Sequence, residues 1–243
     1  MTGNCINQSF GNQQVDSQER KQRIREVFDK VAPRYDLMND AMSFGIHRLW
    51  KRRFARMADA RTGQVLVDLA GGTGDIAIRL IRPGNHVYIV DPSVAMMRVG
   101  LQRHGLPCIA APAEQMPFPD TSVDTLTIAF GIRNVTEMEP ALTEMVRVLK
   151  PGGRCLILEF SKPQWWLKPF YDWHSFWIIP RLGAWIARQP AAYQYLVESI
   201  RKFPDQQEMK ALLEQAGLVD VCYKNLSFGI ACIHVGRKPA GNQ

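Results

Sequence analysis

Between Val65 and Asp75 the chain reads VLVDLAGGTGD, a β-prone run that ends on Asp68 and Leu69 and passes into Gly71, Gly72, Thr73 and Gly74. Glycines at such a turn let backbone approach a ligand closely, and a helix starting near Asp75 would aim its first N–H groups at polar or anionic atoms. Dinucleotide sites use a similar turn, so the turn alone does not choose a ligand. Its spacing is DxxxGxG, however, and not GxGxxG. Asp91 closes the next apolar run, VYIVD, where a carboxylate can accept both hydroxyls of a ribose. Ala113-Glu114, preceded by Pro112, follows the next run and is placed to frame an adenine; Ser122-Val123-Asp124 leads into a fourth. Each could be structural by itself, and Asp91 alone reads equally well as a surface acid. Four in order at successive strand ends favour a single nucleotide-like ligand.

These residues need a scaffold that brings strand ends together. From 64 to about 160 the chain alternates β-rich runs with helical ones. The predicted strands are Gln64–Leu69, Val87–Val90, Pro107–Ala110, Thr125–Phe130 and Arg154–Phe160, and the predicted helices are Asp75–Ile81, Val94–Leu101 and Pro140–Leu149. That rhythm implies βαβ units and a mainly parallel sheet. Upstream, Ile24, Val27, Phe28 and Val31 make one apolar face of a helix that Pro33 should end or bend; a second helix is expected around His47–Met57, with Leu49, Trp50, Phe54 and Met57 apolar. Downstream, Asp205–Ala216 reads as a helix closed by Gly217, followed by strands Val219–Leu226 and Ala231–Arg237 as an antiparallel closing pair.

Composition narrows the class. The 243 residues carry a net charge of +7, and residues 20–61 hold 12 Lys or Arg against 5 Asp or Glu, an excess equal to that of the whole chain. A basic zone can meet nucleic acid, an anionic membrane, an acidic substrate or only water. The five cysteines form no CxxC pair, which fits neither a zinc site nor a disulfide framework and points to a reducing, cytoplasmic setting. No apolar run reaches the roughly 18–20 residues of a membrane span, and the polar start MTGNCINQSFGNQQ argues against an export signal. Five of the six tryptophans fall between 165 and 185, among Phe170, Tyr171 and Phe176 and with Lys162, Lys168, Arg181 and Arg188 interspersed. Core packing explains part of that cluster; an apolar, membrane-edge surface explains it as well.

The ordered strand-end features resemble the class I S-adenosylmethionine methyltransferases. Two stretches narrow the resemblance: YDLMNDAMSFGIHRLW (Tyr35–Trp50) and RVLKPGGRCLILEFS (Arg147–Ser161) are similar to signatures of the ubiquinone/menaquinone biosynthesis C-methyltransferases, as are FGIRNVT (Phe130–Thr136) and YLVESIRKFPDQ (Tyr195–Gln206). The likeness spans about residues 8–236. It implies an α/β Rossmann-like fold with a mainly parallel seven-stranded sheet and an antiparallel C-terminal strand. The organisation expected is a disordered arm over 1–15, a helical lid over 16–60, a cofactor-binding core over 61–161, an aromatic substrate cap over 162–204, and closing elements over 205–243.

The implied activity is S-adenosylmethionine-dependent C-methylation of a polyprenylated quinol ring. By the same resemblance Asp68, Gly71, Gly72, Thr73, Gly74, Asp91, Pro112, Ala113, Glu114, Ala129 and Tyr35 would bind the cofactor. Tyr193, Tyr195 and Glu198 would line the quinol pocket. Arg133, Asn134 and His47 are the catalytic candidates: a histidine titrates near neutrality, and an arginine suits a developing phenolate charge better than the role of a free base. Helix packing for His47 and a structural ion pair for Arg133 stand beside those readings. Two positions depart from the family, Pro112 where Asn or Asp is usual and Ala129 where Ser is frequent; both remove a polar side chain, and cofactor binding is expected to persist in weakened form. Expected partners are the lipophilic quinol, a peripheral membrane surface, quinone-biosynthesis enzymes or a second copy of the chain, with no nucleic acid and no metal. Competing readings are another small lipophilic or phenolic acceptor, RNA, and a non-catalytic cofactor-binding subunit. FGIRN stands where RNA enzymes of this fold often carry Asn/Asp-Pro-Pro-aromatic, which disfavours RNA.

Overall fold

Seven strands form one sheet in the order β5-β4-β3-β6-β7-β9-β8. They are β3 (Val65–Leu69), β4 (His86–Val90), β5 (Cys108–Ile109), β6 (Val123–Ala129), β7 (Leu149–Phe160), β8 (Val219–Leu226) and β9 (Ala231–Arg237). The first five run parallel, and β9 is antiparallel to both β7 and β8. The expected sheet, including its antiparallel C-terminal strand, is therefore present. The computed structural model describes residues 9–10, 13–32, 37, 39–40, 43–167, 169 and 190–241.

Strand alternation explains the layering. Val67 and Leu69 of β3, Leu126 and Ile128 of β6 and Ile157 of β7 join one apolar layer with α5 (Met138–Val148) and α7 (Gln206–Gln215). Leu66, Leu156 and Leu158 point the other way. They pack with Trp50 and Phe54 of α2 (Ile46–Ala58), with α3 (Ala77–Leu80) and with Met97 of α4 (Val94–His104). Helices on both faces bury the central strands β3, β6 and β7, as parallel strands require, whereas the edge strand β8 is largely exposed.

Local chemistry sets the helix starts. Asp16 caps α1 (Ser17–Val31) by accepting from Glu19 N at 2.8 Å, Ser93 caps α4, and Asp205 and Glu208 form a capping box on α7. The helix expected over Asp75–Ile81 is confined to Ala77–Leu80, because residues 71–76 turn around the Asp68 carboxylate before the chain can coil. The strand expected from Arg154 begins five residues earlier, at Leu149. In α2, Trp50 and Phe54 are buried as expected, whereas Leu49 lies one residue off that face and is exposed. Within the stretch read as a disordered arm, β1 (Ser9–Phe10) pairs with β2 (Gln13–Gln14), and the Phe10 ring stacks on Tyr195 of α6 (Pro190–Lys202) at 4.5 Å. The predicted helix stop at Pro33 and the aromatic run from Phe170 to Trp185 lie outside the described residues.

Candidate active site

β3 has β4 on one side and β6 on the other, so the chain reverses its direction of winding there and leaves a crevice at the carboxyl ends of the strands. The turns leaving β3 and β6 each pass through a left-handed residue that is not glycine, Ala70 at φ 49° and Phe130 at φ 56°. Such a conformation costs about 1 kcal/mol or more and persists only where surrounding packing imposes it. Above these turns lies a cavity of about 370 Å³, within the usual range for small-molecule sites.

The glycine turn forms its floor. A Cβ on Gly71 would lie 2.8 Å from both the carbonyl oxygen and Oδ2 of Asp68, which leaves no room for one, and Gly72 holds φ 51°, where a side chain would be strained. Asp68 is 1% exposed; its Oδ2 accepts from Ala77 N at 3.0 Å and its Oδ1 from Thr127 Oγ1 at 2.9 Å. Burial pushes its carboxyl up to about 7 against the pull of those two donors. Asp91 lines the cavity beside this floor. Its Oδ1 accepts from Ser93 N at 2.7 Å and its Oδ2 from Gly72 N at 2.9 Å, and burial lifts it to about 6. Each Asp91 oxygen has a second lone pair for a ligand hydroxyl.

Pro112, Ala113, Glu114 and Ala129 line the same cavity, as do Thr73 and Asn134. The two departures from the resembled family therefore sit in the cavity wall. Pro112 uses its carbonyl to accept from Gln115 N at 3.3 Å, which closes the turn carrying Glu114. Gly74 (φ 80°) shapes the turn from behind without lining the cavity.

The remaining candidates separate. Asn134 Oδ1 accepts from the Tyr195 hydroxyl at 2.9 Å, which draws these two expected residues together. Arg133 lies beneath the wall: 5% exposed, it donates from Nη1 to Glu159 Oε1 at 2.7 Å and to Phe130 O at 2.7 Å. Glu159 also accepts from Phe160 N at 2.9 Å, and burial raises its carboxyl despite the adjacent guanidinium. His47 also lies outside the cavity wall, near the start of α2, with Nδ1 2.8 Å from Ser43 Oγ. Burial, reinforced by the Lys51 ammonium, lowers its pKa and keeps the ring neutral. Glu198 is half-buried in α6. Tyr193 belongs to α6, but its side chain lies outside the described residues, as does Tyr35.

Several wall residues carry no signal in the sequence motifs. Lys51, 5% exposed, projects from α2 and pairs with Asp75 Oδ2 at 2.7 Å. Burial opposes ionisation of Asp75, but Lys51 and Arg79 outweigh it and hold the carboxyl below its ordinary range. Gly100 of α4 lets that helix lie against the glycine turn, since a Cβ there would come within 3.0 Å of Thr73 backbone. Helix α1 supplies Lys21, Ile24, Arg25 and Phe28 to the cavity. Of these only Ile24 and Phe28 belong to the apolar face expected of that helix. Among the described residues no group of His, Cys, Asp and Glu could hold a metal ion, and no helix is long and apolar enough to cross a membrane.

Comparison with known proteins gives this architecture its family. The ubiE/COQ5 methyltransferase family model matches residues 15–238. A ubiquinone/menaquinone biosynthesis C-methyltransferase of Rubrivivax gelatinosus is 60% identical over 237 residues, covering 97% of this chain and 94% of that protein. One from Xanthomonas axonopodis is 48% identical over 94% of this chain and 95% of its own length. Among solved structures, a methyltransferase from Thermotoga maritima superposes with a TM-score of 0.65 at 19% identity, over 88% of this chain and 99% of the other. A Haemonchus contortus phosphoethanolamine N-methyltransferase in complex with S-adenosyl-L-methionine does so at 0.54 and 16%, over 74% and 49%. Those two distant likenesses carry the fold alone. The side-chain-free glycine floor and the buried Asp91 fit S-adenosylmethionine, and the chain belongs to the ubiE/COQ5 methyltransferase family as an S-adenosylmethionine-dependent methyltransferase.

Proposed function

We propose that the enzyme methylates a ring carbon of a polyprenylated quinol in ubiquinone/menaquinone biosynthesis, with a demethylmenaquinol, a 2-polyprenyl-6-methoxy-1,4-benzoquinol or both as acceptor. The observation that carries the reading, beside the family, is the junction of the cofactor cavity with the Asn134–Tyr195 pair. When bound, S-adenosylmethionine supplies an activated methyl on a sulfonium. The protein's own residues position and polarise. Asp91 takes the ribose hydroxyls, the 112–114 turn frames the adenine, and Gly71 and Gly72 leave room for close backbone approach.

A quinol ring carbon becomes nucleophilic when a neighbouring hydroxyl gives its proton to water, which leaves negative charge on the quinol oxygen. Asn134 has its Oδ1 taken by Tyr195, so its Nδ2 is left to donate to that oxygen. Arg133 supports this from below: its bond to Phe130 O fixes the turn that carries Asn134. Quinone profiling by mass spectrometry after gene deletion tests the reading. Accumulation of a demethyl quinone supports it and identifies the ring; an unchanged profile rejects it.

The acceptor's apolar tail favours work at a membrane, and we assign the enzyme to the cytoplasmic face of one. Phe44, Leu49, Trp165, Trp166 and Phe228 are exposed. The Trp50 Nε1 bond to Ser227 Oγ (3.0 Å) joins α2 to the turn bearing Phe228, whose ring meets Trp166 at 5.1 Å. Arg52, Arg53 and Arg56 are exposed on the same helix, suited to anionic headgroups. Flotation with phosphatidylglycerol-containing liposomes is expected to carry the protein upward, and failure to float rejects this assignment.

A further inference from the structure

We infer that Arg20 is a positioning residue that locks helix α1 to the turn after β6, so that the two walls these segments give the active-site cavity are set as one. Arg20 is 1% exposed, an unusual depth for an arginine, and sits one helical turn before Ile24 and two before Phe28, both in the cavity wall. Its guanidinium crosses to a segment more than a hundred residues away. Nη2 donates to Arg133 O at 3.1 Å, and Nη1 donates to Val135 O and, at 3.4 Å, to Thr136 O. Those three carbonyls flank Asn134, and Asn134, Val135 and Thr136 all line the cavity.

The chemistry of the contact requires arginine. The planar guanidinium offers five N–H donors in a fixed fork, which can satisfy carbonyls pointing in different directions around one turn. A lysine ammonium is a single point from which carbonyls of Arg133 and Val135 cannot both be met in the same geometry. Tyr195 also holds the turn, donating to the Asn134 side chain. Arg20 thus fixes the backbone of the acceptor-side turn, while Lys21, Ile24, Arg25 and Phe28 of the same helix close the cofactor side. One side chain makes the position of each wall depend on the other.

The test compares wild type with Arg20→Met, which keeps an apolar stem, and with Arg20→Ala, which leaves a space that free guanidinium can enter. S-adenosylhomocysteine affinity by calorimetry and turnover are followed together. In Arg20→Met, affinity is expected to fall about tenfold, because bonds from a charged group are lost, and turnover at saturating cofactor by roughly 10- to 100-fold, because Asn134 is displaced. Millimolar guanidinium chloride, but not sodium chloride, is expected to restore both quantities in Arg20→Ala, and Arg20→Lys to restore neither in full. Both quantities within about twofold of wild type in Arg20→Met would overturn the inference. So would a loss in Arg20→Ala that guanidinium leaves untouched, including one that comes from failure to fold. Turnover and its rescue rest on the quinol reading; S-adenosylhomocysteine affinity and its rescue by guanidinium need no acceptor, so the two readings fail separately.

Discussion

Replacing Asp68 by asparagine should make the ligand-free protein more stable above neutrality. The Asp68 carboxyl is fully buried and lifted from 3.8 to about 7. The native state therefore holds this proton more tightly than the unfolded chain does. Between pH 4 and 7 it binds more protons, so stability falls as pH rises. The loss is absent below about pH 4 and complete above about pH 7, where it amounts to about 4 kcal/mol. The asparagine side chain can keep the local bonds: its carbonyl oxygen accepts from Ala77 N, and its amide donates to Thr127 Oγ1, which can turn its own hydrogen toward Val67 O, 3.4 Å away. Asp91 and the other carboxylates titrate in both proteins and cancel in the comparison. Urea unfolding of wild type and Asp68→Asn at pH 5, 6, 7 and 8 should show the variant's relative stability growing by about 2–3 kcal/mol across the series. A difference that stays flat with pH would falsify the assignment of that proton to Asp68.

Gly71→Ala places a Cβ against the Asp68 carbonyl, a backbone atom that cannot swing away; a stability loss of about 1–3 kcal/mol is expected by urea unfolding, with calorimetry showing weaker S-adenosylhomocysteine binding. Glu159→Leu leaves the buried Arg133 guanidinium without its carboxylate and should cost about 3–5 kcal/mol; recovery in the double variant with Arg133→Met, measured the same way, separates the stranded charge from lost packing. Asp205→Ala removes the cap of α7 and half of its capping box, worth about 1 kcal/mol by thermal unfolding, with cofactor affinity unchanged because the helix lies away from the cavity.

The local geometry of the glycine turn and of Asp91 was legible in the sequence because its causes are local. Asp68, Gly71 and Ala77 interact within nine residues, and Asp91 meets Ser93 two residues on. A βα turn therefore carries its geometry in its own spacing. The order of β-rich and helical runs implied the parallel sheet for a similar reason, since alternating periodicities leave few ways to bury both faces. The Tyr35–Trp50 likeness pointed to a substrate class that no spacing argument reaches.

The surroundings of the turn after β6 were decided by contacts between distant segments. Arg133 stands where an arginine at a strand end reads as a substrate ligand, yet Glu159, on the neighbouring strand and 26 residues away, holds it below the surface. Lys51 looks like one more charge in a basic helix until Asp75 closes over it. Arg20 had a signal, an arginine four residues before Ile24 on the buried face of a helix, but its partners lie 113 to 116 residues off. What the chain determines by itself is which short segments can cradle a ligand, because hydrogen bonds over a few residues need no other element. Only the folded structure decides which charges are buried with partners, because burial belongs to the packed assembly and not to any one segment.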